Sequence, residues 1–349
     1  MDQEQIKNFI EEYGSKREQY KNFSIRLKNI IEDILNVKGL SYLSVECRAK
    51  SSVSLEKKLE KLSFESLGEV QDLAGVRIIT YVYKDIETIE SVIAENFLAE
   101  QLSVEDRLGT DRVGYRSHHW LISLPDNRLK LPEYEQFGGL KAELQISTVL
   151  QHAWAQIGHK QVYKPSAILP RKIKRNFTLL SGLLEIADNE FNRISNEILE
   201  HQQEVVSETE KGNLEIPIDT VSLRQYFDTN FKSINNMDPR FGPHDDMAED
   251  IIEELRDLGI TTLAQLDNII PKDFMQNLAS VDMGEKNYCG LSRNIMVIYN
   301  YKEYFEKAWK NKWVSASKSE SSTGELYKIY GIDYDEIIKT YGLRVSVKK

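Results

Sequence analysis

Two acidic residues, Asp72 and Glu143, each fall at or beside the end of a segment that reads as a β-strand. Around them stand Arg48, Lys50, Lys58, Arg77 and Arg116. Two carboxylates on neighbouring strands can share a Mg2+, a hard cation that takes oxygen ligands and keeps water and phosphate in the rest of its shell. The cations suit phosphate, arginine as a two-pronged donor and lysine as a point charge. A pair of acids inside a cationic surround therefore points to a polyphosphate–metal substrate. Phosphoryl-type transfer rests on positioning and charge stabilisation, so such a site needs no nucleophilic Ser or Cys. Gly75 lets backbone pack closely beside Arg77. Tyr115 offers an aromatic face for stacking on a base.

These residues need elements to hold them. Apolar residues at helical spacing (Ile6, Phe9, Ile10, then Ile25, Leu27, Ile30, Ile31, Ile34, Leu35) predict a helix over 3–37. YLSVECRAK (42–50) reads as β, and Ser54 as the cap of a helix over 55–63 that carries Lys57, Lys58 and Lys61. AGVRIITYVY (74–83) reads as a buried strand. A helix over 85–97, strands at 99–106, 118–124 and 141–147, a helix from 150 to 160 and a long amphipathic helix over 171–205 complete this part. Beyond GNLEIPIDTVS, from residue 212, helices dominate: 221–231, 246–258, 262–268, 287–312 and 324–341. ELRDLGITTLAQLDNI (254–269) reads as a helix–loop–helix with Gly259 at the break, too acidic to suggest nucleic acid and better suited to packing or regulation. The divisions that result are a helical segment 1–40, a domain 41–212 and a mainly helical domain 213–349, the last regulatory, oligomerising or partner-sensing by elimination.

The clusters fall in the order RAKS-x-x-S-x-x-x-K (48–58), DLAGVRI (72–78), GYRS (114–117) and ELQI…HAW…H…YK (143–164). In order and spacing the chain resembles the RelA/SpoT synthetases. The resemblance implies an α/β (α+β) nucleotidyltransferase-like synthetase domain, a mixed sheet flanked by helices, with the helical C-terminal domain added to it. It implies pyrophosphoryl transfer from ATP to the 3′-hydroxyl of GDP or GTP, giving (p)ppGpp-type alarmones. Arg48 and Arg77 would sandwich the adenine. Lys50, Ser54 and Lys58 would hold the ATP phosphates, and Asp72 and Glu143 would bind Mg2+. Glu143 would also take the 3′-hydroxyl proton. Tyr115 would stack on the acceptor base, supported by Arg116, Gln145 and His152. Two departures touch the acceptor side: Ser147 stands where many such synthetases carry arginine, and His152 where Asn or Asp is common. Relatives that modify the 3′-CCA end of tRNA, or make adenosine alarmones, keep those acceptors open. So does the basic run Lys160, Lys164, Arg171, Lys172, Lys174, Arg175, which fits an exposed helix start equally well. A toxic synthetase restrained by 213–349 or by an antitoxin, and a non-catalytic nucleotide-sensing scaffold, are the competing readings. Asp72→Asn and Glu143→Gln are expected to abolish transfer with the fold intact.

Other residues take plainer readings. Lys57 and Lys61 belong to a solvated helix face, Trp154 to the core, and His152 with His159 to no evident metal set. His244-Asp245 is set aside as a hydrolase dyad, because no His follows 244 and a hydrolase would precede the synthetase; the expectation is synthesis without degradation. The 349 residues carry 41% apolar and 29% charged side chains and a net charge of −10, the balance of a soluble protein and a poor one for a general nucleic-acid binder. With no membrane-length apolar run and a charged N-terminus, the expectation is cytoplasmic, with no membrane partner and a homo-oligomer left open. Cys47 and Cys289 lie far apart and read as ordinary reduced cysteines.

Overall fold

The structure is a computed structural model and describes residues 3–102, 117–158, 170–232, 234, 237–238, 241, 247–281, 286–310, 312–313, 315–316 and 321–345. The chain divides into two compact units, Met1–Asn196 and Glu197–Lys349.

The first unit is built on five strands: β1 (Ser44–Ala49), β2 (Ala74–Thr80), β3 (Leu98–Leu102), β4 (His118–Ser123) and β5 (Ala142–Thr148). Their order is β1-β2-β5-β4-β3, with β2 and β5 parallel and every other pair antiparallel. The helices are α1 (Gln3–Val37), α2 (Ser52–Leu59), α3 (Tyr83–Asn96), the single turns α4 (Asp126–Leu129) and α5 (Pro132–Glu135), α6 (Val149–Ile157) and α7 (Arg171–Glu210), whose residues from Glu197 on belong to the second unit. The mixed sheet with flanking helices is the architecture expected.

Alternation along the central strands explains how one sheet serves two purposes. Ala74, Val76 and Ile78 on β2, and Ala142, Leu144 and Ile146 on β5, are buried in one core with α1 and α3. From α1 come Tyr13, Phe23, Leu27, Ile31 and Leu35, spaced for one helical face, and from α3 Ile86, Ile89 and Ile93. Fully burying such an aliphatic side chain contributes about 1.5–3 kcal/mol. The alternate residues Gly75, Arg77, Glu143 and Gln145 lie on the opposite face of the sheet.

Local details differ from expectation. Ser51, not Ser54, caps α2: its Oγ accepts from the Ser54 amide, and the helix starts at Ser52. β2 stops at Thr80 and α3 begins at Tyr83, so the β-branched run is shorter than it read. Thr148 ends β5 and caps α6 at once, in a reciprocal box with Gln151.

The second unit is mainly helical, as expected: α8 (Thr220–Asn230), α9 (Met247–Asp257), α10 (Leu263–Ile269), α11 (Phe274–Ser280), α12 (Tyr288–Glu303, running on into a π turn, Tyr304–Ala308), α13 (Ser322–Ile329) and α14 (Tyr334–Tyr341). Two-residue strands β6 (Met237–Asp238) and β7 (Lys286–Asn287) pair in parallel, as do β8 (Ser315–Ala316) and β9 (Arg344–Val345). The helix expected over 324–341 is two, broken where Gly331 takes φ +71° and Asp333 caps α14. Helix α11 had no counterpart in the sequence reading. Gly259 does break α9 from α10, at φ +77°, and Thr262 with Gln265 caps α10. Phe227, Phe231, Phe241, Phe274 and Tyr288 form an aromatic core. Glu254, fully buried, is held by Arg293 at 2.7 Å and by Tyr304 at 2.8 Å. Among the described residues no helix is long and apolar enough to cross a membrane.

Candidate active site

Strand register sets the candidate residues in two rungs across the open face of the sheet. One rung runs Arg48, Gly75, Glu143, and the next runs Glu46, Arg77, Gln145, His119. Both lie on three or four adjacent strands and share one side, because partners in register point the same way. Gly75 is the gap in the first rung. A Cβ there would sit 3.6 Å from Arg48 Cγ and 3.7 Å from its Nε, so the arginine stem lies across the glycine. The resulting cleft of about 250 Å³ is lined by Glu46, Arg48, Gly75, Arg77, Glu143, Gln145 and Gln156.

In the second rung Arg77 donates to Gln145 Oε1 from Nη2 at 2.9 Å and from Nε at 3.2 Å, with Glu46 at 3.6 Å. Burial lowers its affinity for a proton and the neighbouring Arg48 charge lowers it further. An arginine stays protonated under any such shift, so this is a crowded, incompletely neutralised cationic pair. His152, on α6, is pushed below its ordinary value by burial and then by the Arg77 charge. It is therefore neutral at pH 7.

Asp72 sits just ahead of β2 and receives both lysines: Lys50 Nζ contacts Oδ2, and Lys58 Nζ donates to Oδ1 at 2.8 Å. Burial raises its carboxyl, but the two ammonium groups outweigh burial and leave it below the usual carboxylate range. Lys50 is fixed from two sides. Its amide donates to the Leu73 carbonyl at 2.9 Å. Its own carbonyl accepts from Tyr13 Oη at 2.6 Å and Arg17 Nε at 3.3 Å, both on α1.

Glu143 Oε1 lies 2.8 Å from His119 Nδ1, and His119 Nε2 lies 2.6 Å from Ser117 Oγ. Burial raises the Glu143 carboxyl, the His119 and Gln145 hydrogen bonds pull it down, and the Asp72 charge raises it slightly. The net is a depressed, ionised carboxylate that senses Asp72. On the other face of β4, His118 lies 2.7 Å from Glu90, which also accepts from Trp120 Nε1 at 2.7 Å, fastening α3 to the sheet.

Of the residues singled out by sequence, Arg48, Arg77, Glu143 and Gln145 line one cleft, and Lys50, Lys58 and Asp72 form one charged cluster. His152 is close enough to feel Arg77. Ser54 is engaged in the α2 cap, accepting from Ser51 Oγ at 2.7 Å. Tyr115, Arg116, His159, Lys160, Tyr163 and Lys164 lie outside the described residues. His119, Tyr13 and Arg17 were missed. Alternation could have found His119, since Trp120 and Ile122 belong to the core side of β4 and His119 must take the other. Nothing local marks Tyr13 or Arg17, more than thirty residues from Lys50.

Residues 47–167 match the family described as the region found in RelA/SpoT proteins. The chain is 30% identical over 157 residues to the GTP pyrophosphokinase YwaC of Bacillus subtilis, spanning 43% of this chain and 72% of that relative. It is 23% identical over 217 residues to the GTP pyrophosphokinase YjbM of the same organism, covering 61% of this chain and 99% of that one. Small alarmone synthetase 1 of B. subtilis superposes with a TM-score of 0.46 at 23% identity, over 54% of this chain and 99% of that structure. With the motif residues gathered on one sheet face and these relatives beside it, the chain belongs to the RelA/SpoT family, as a pyrophosphokinase.

Proposed function

We propose that this chain transfers the pyrophosphoryl group of ATP to the 3′-hydroxyl of GDP or GTP, giving a guanosine alarmone and AMP. The observations that carry this reading are two groups of cations beside two carboxylates: Lys50 and Lys58 on Asp72, and Arg48 and Arg77 in the cleft that Glu143 also lines. The arginine pair lining the cleft suits a flat adenine held by stacking. Lys50 and Lys58 each hold one Asp72 oxygen, so substrate binding would move them from the carboxylate to the ATP phosphates and free Asp72 for Mg2+. Glu143, ionised and oriented by His119, accepts the 3′-hydroxyl proton as the 3′-oxygen bonds to the β-phosphorus. The bond from that phosphorus to the α,β-bridging oxygen breaks, and AMP leaves with its electron pair. Tyr115 and Arg116 take the acceptor base and its phosphates in this reading.

Asp72 and Glu143 would hold Mg2+. Both offer hard oxygen donors, and the Asp72 charge is felt at Glu143. Mg2+ keeps waters and substrate phosphates in the rest of its shell, so two carboxylates suffice. Bound there, the ion would offset negative charge on the phosphates in transfer.

A second acceptor reading rests on Ser147 and His152. Ser147 is buried at the end of β5, so no cation stands where many such synthetases carry arginine, and His152 is neutral. That combination also suits an adenosine acceptor, a nucleotide or the tRNA 3′ end. The test offers labelled ATP with GDP, GTP, ADP or deacylated tRNA in separate reactions. Label on GDP or GTP supports the guanosine reading; label on ADP or tRNA alone overturns it.

A further inference from the structure

Two arginines stacked on a base grip it without reading it, because every base offers a π-face. A donor site that must take ATP while GDP or GTP is also present therefore needs a group that reads the edge of the base. The carboxylates and amides of the cleft are unequal candidates. Gln145 Oε1 is taken by Arg77, and Glu143 Oε1 lies 2.8 Å from His119. Glu46 lines the same cleft, and Arg77 Nη1 lies 3.6 Å from its Oε2, too far for a hydrogen bond. With its side chain 53% exposed, Glu46 is open to a donor from a ligand.

Strand β1 sets the order of groups along the cleft. Val45, Cys47 and Ala49 pack against the core, so Glu46, Arg48 and Lys50 share the open side. Lys50 extends the ladder past Ala49, its amide donating to the Leu73 carbonyl at 2.9 Å. At about 3.3 Å per residue, Glu46 and Lys50 stand about 13 Å apart. That is about the reach of ATP from the 6-amino group of its base to its β-phosphate. With phosphate at Lys50 and the base on Arg48, the outer edge of the base falls at Glu46. His152 on α6 feels both Arg77 and Glu46, so the Glu46 charge acts within the cleft. An ionised carboxylate accepts hydrogen bonds and cannot donate one. It fits the 6-amino group of adenine and opposes the 6-oxo group of guanine or hypoxanthine, itself an acceptor.

We propose that Glu46 is the specificity residue of the donor site, accepting a hydrogen bond from the 6-amino group of the ATP base and turning 6-oxo purines away. The proposal rests on the donor-site reading above and goes beyond it in naming what reads the base.

The test is calorimetric binding to the purified full chain, with Mg2+ and no acceptor present. The ligands are ATP, purine riboside 5′-triphosphate, which lacks the amino group, and ITP, which carries the 6-oxo group. Wild type binds ATP about five- to tenfold more tightly than purine riboside triphosphate, at the low end for a hydrogen bond to a charged group because Glu46 is half exposed. ITP binds more weakly than either. Glu46→Ala brings ATP and purine riboside triphosphate to within about twofold of each other. Glu46→Gln, whose amide can donate to a 6-oxo group, recovers part of the ITP binding. Removing the charge beside Arg77 shifts all the nucleotides alike, so the ratio separates base reading from charge balance. Far-UV circular dichroism checks that the variants fold. A Glu46→Ala variant that keeps the ATP preference overturns the proposal, and so does a wild type that binds ATP and purine riboside triphosphate equally. If Glu46→Ala instead loses a preference for GDP over IDP, the carboxylate reads the acceptor's guanine and the proposal falls. Transfer from ATP to GDP with the ratio unmoved by Glu46→Ala defeats this inference alone. A chain that binds no ATP defeats the donor-site reading with it.

Discussion

Replacing Asp72 by Asn removes one charge and leaves two ammonium groups on one neutral amide. Lys50, Lys58 and Asp72 have side chains only 14, 27 and 19% exposed, so water recovers part of the loss and not all of it. Each hydrogen bond to a charged group contributes about 1.5–3 kcal/mol, and the asparagine oxygen retains a weaker one. The net cost should be about 2–3 kcal/mol. At about 2–4 °C per kcal/mol for a unit of this size, the melting temperature falls by about 5–10 °C. The variant should still fold, as the sequence reading expects, and the paired lysines set how much its melting temperature falls. The pH dependence carries the sign. The folded-state carboxyl is depressed below the unfolded value of about 3.9, so its stabilisation is present above that pH and is lost as pH falls through the folded value. Thermal melts of wild type and Asp72→Asn should therefore differ by a constant amount from pH 8 to 5 and converge below about pH 4. Identical melting at pH 7, or an undiminished gap at pH 3, would refute the reasoning.

Other outcomes follow from the same geometry. Glu143→Gln keeps an acceptor for His119 and should melt within about 1 kcal/mol of wild type while losing about 10²–10⁴ of its transfer rate in a labelled-ATP assay. Tyr115→Ala should raise the acceptor KM more than the ATP KM in steady-state kinetics, and equal losses on both would contradict stacking. Arg293→Met leaves the buried Glu254 charge with no cation and only the Tyr304 hydroxyl, and should cost about 3–5 kcal/mol in urea denaturation; adding Glu254→Gln should return part of it.

Much of the active face was legible because strand period and motif coincide. Gly75 and Arg77 on one strand, with Glu143 and Gln145 on another, are each two apart, so any register that buries Val76 and Leu144 exposes all four together. Which strands neighbour each other was not legible: β2 meets β5 across sixty-odd residues, and only three-dimensional packing selects that pairing. The lysines were read as phosphate ligands and Asp72 as a metal ligand. Their mutual pairing escaped notice because charge neutralisation depends on distance, which sequence separations of 22 and 14 residues do not reveal. Tyr13 and Arg17 escaped for the same reason. Ser51 and Ser54 are chemically equal cap candidates, and which begins the helix is decided by where the strand ahead of it ends. In the second unit, α11 is a short helix of seven residues with too few turns to show a period.

The central claim is tested most directly by giving the purified full-length chain ATP labelled at the γ-phosphate, Mg2+ and GDP, and following both label and AMP. The account predicts label on a guanosine nucleotide bearing a 3′-pyrophosphate, AMP formed one for one, and neither with Glu143→Gln. Label released as inorganic phosphate without AMP, or transfer undiminished in Glu143→Gln, would contradict it.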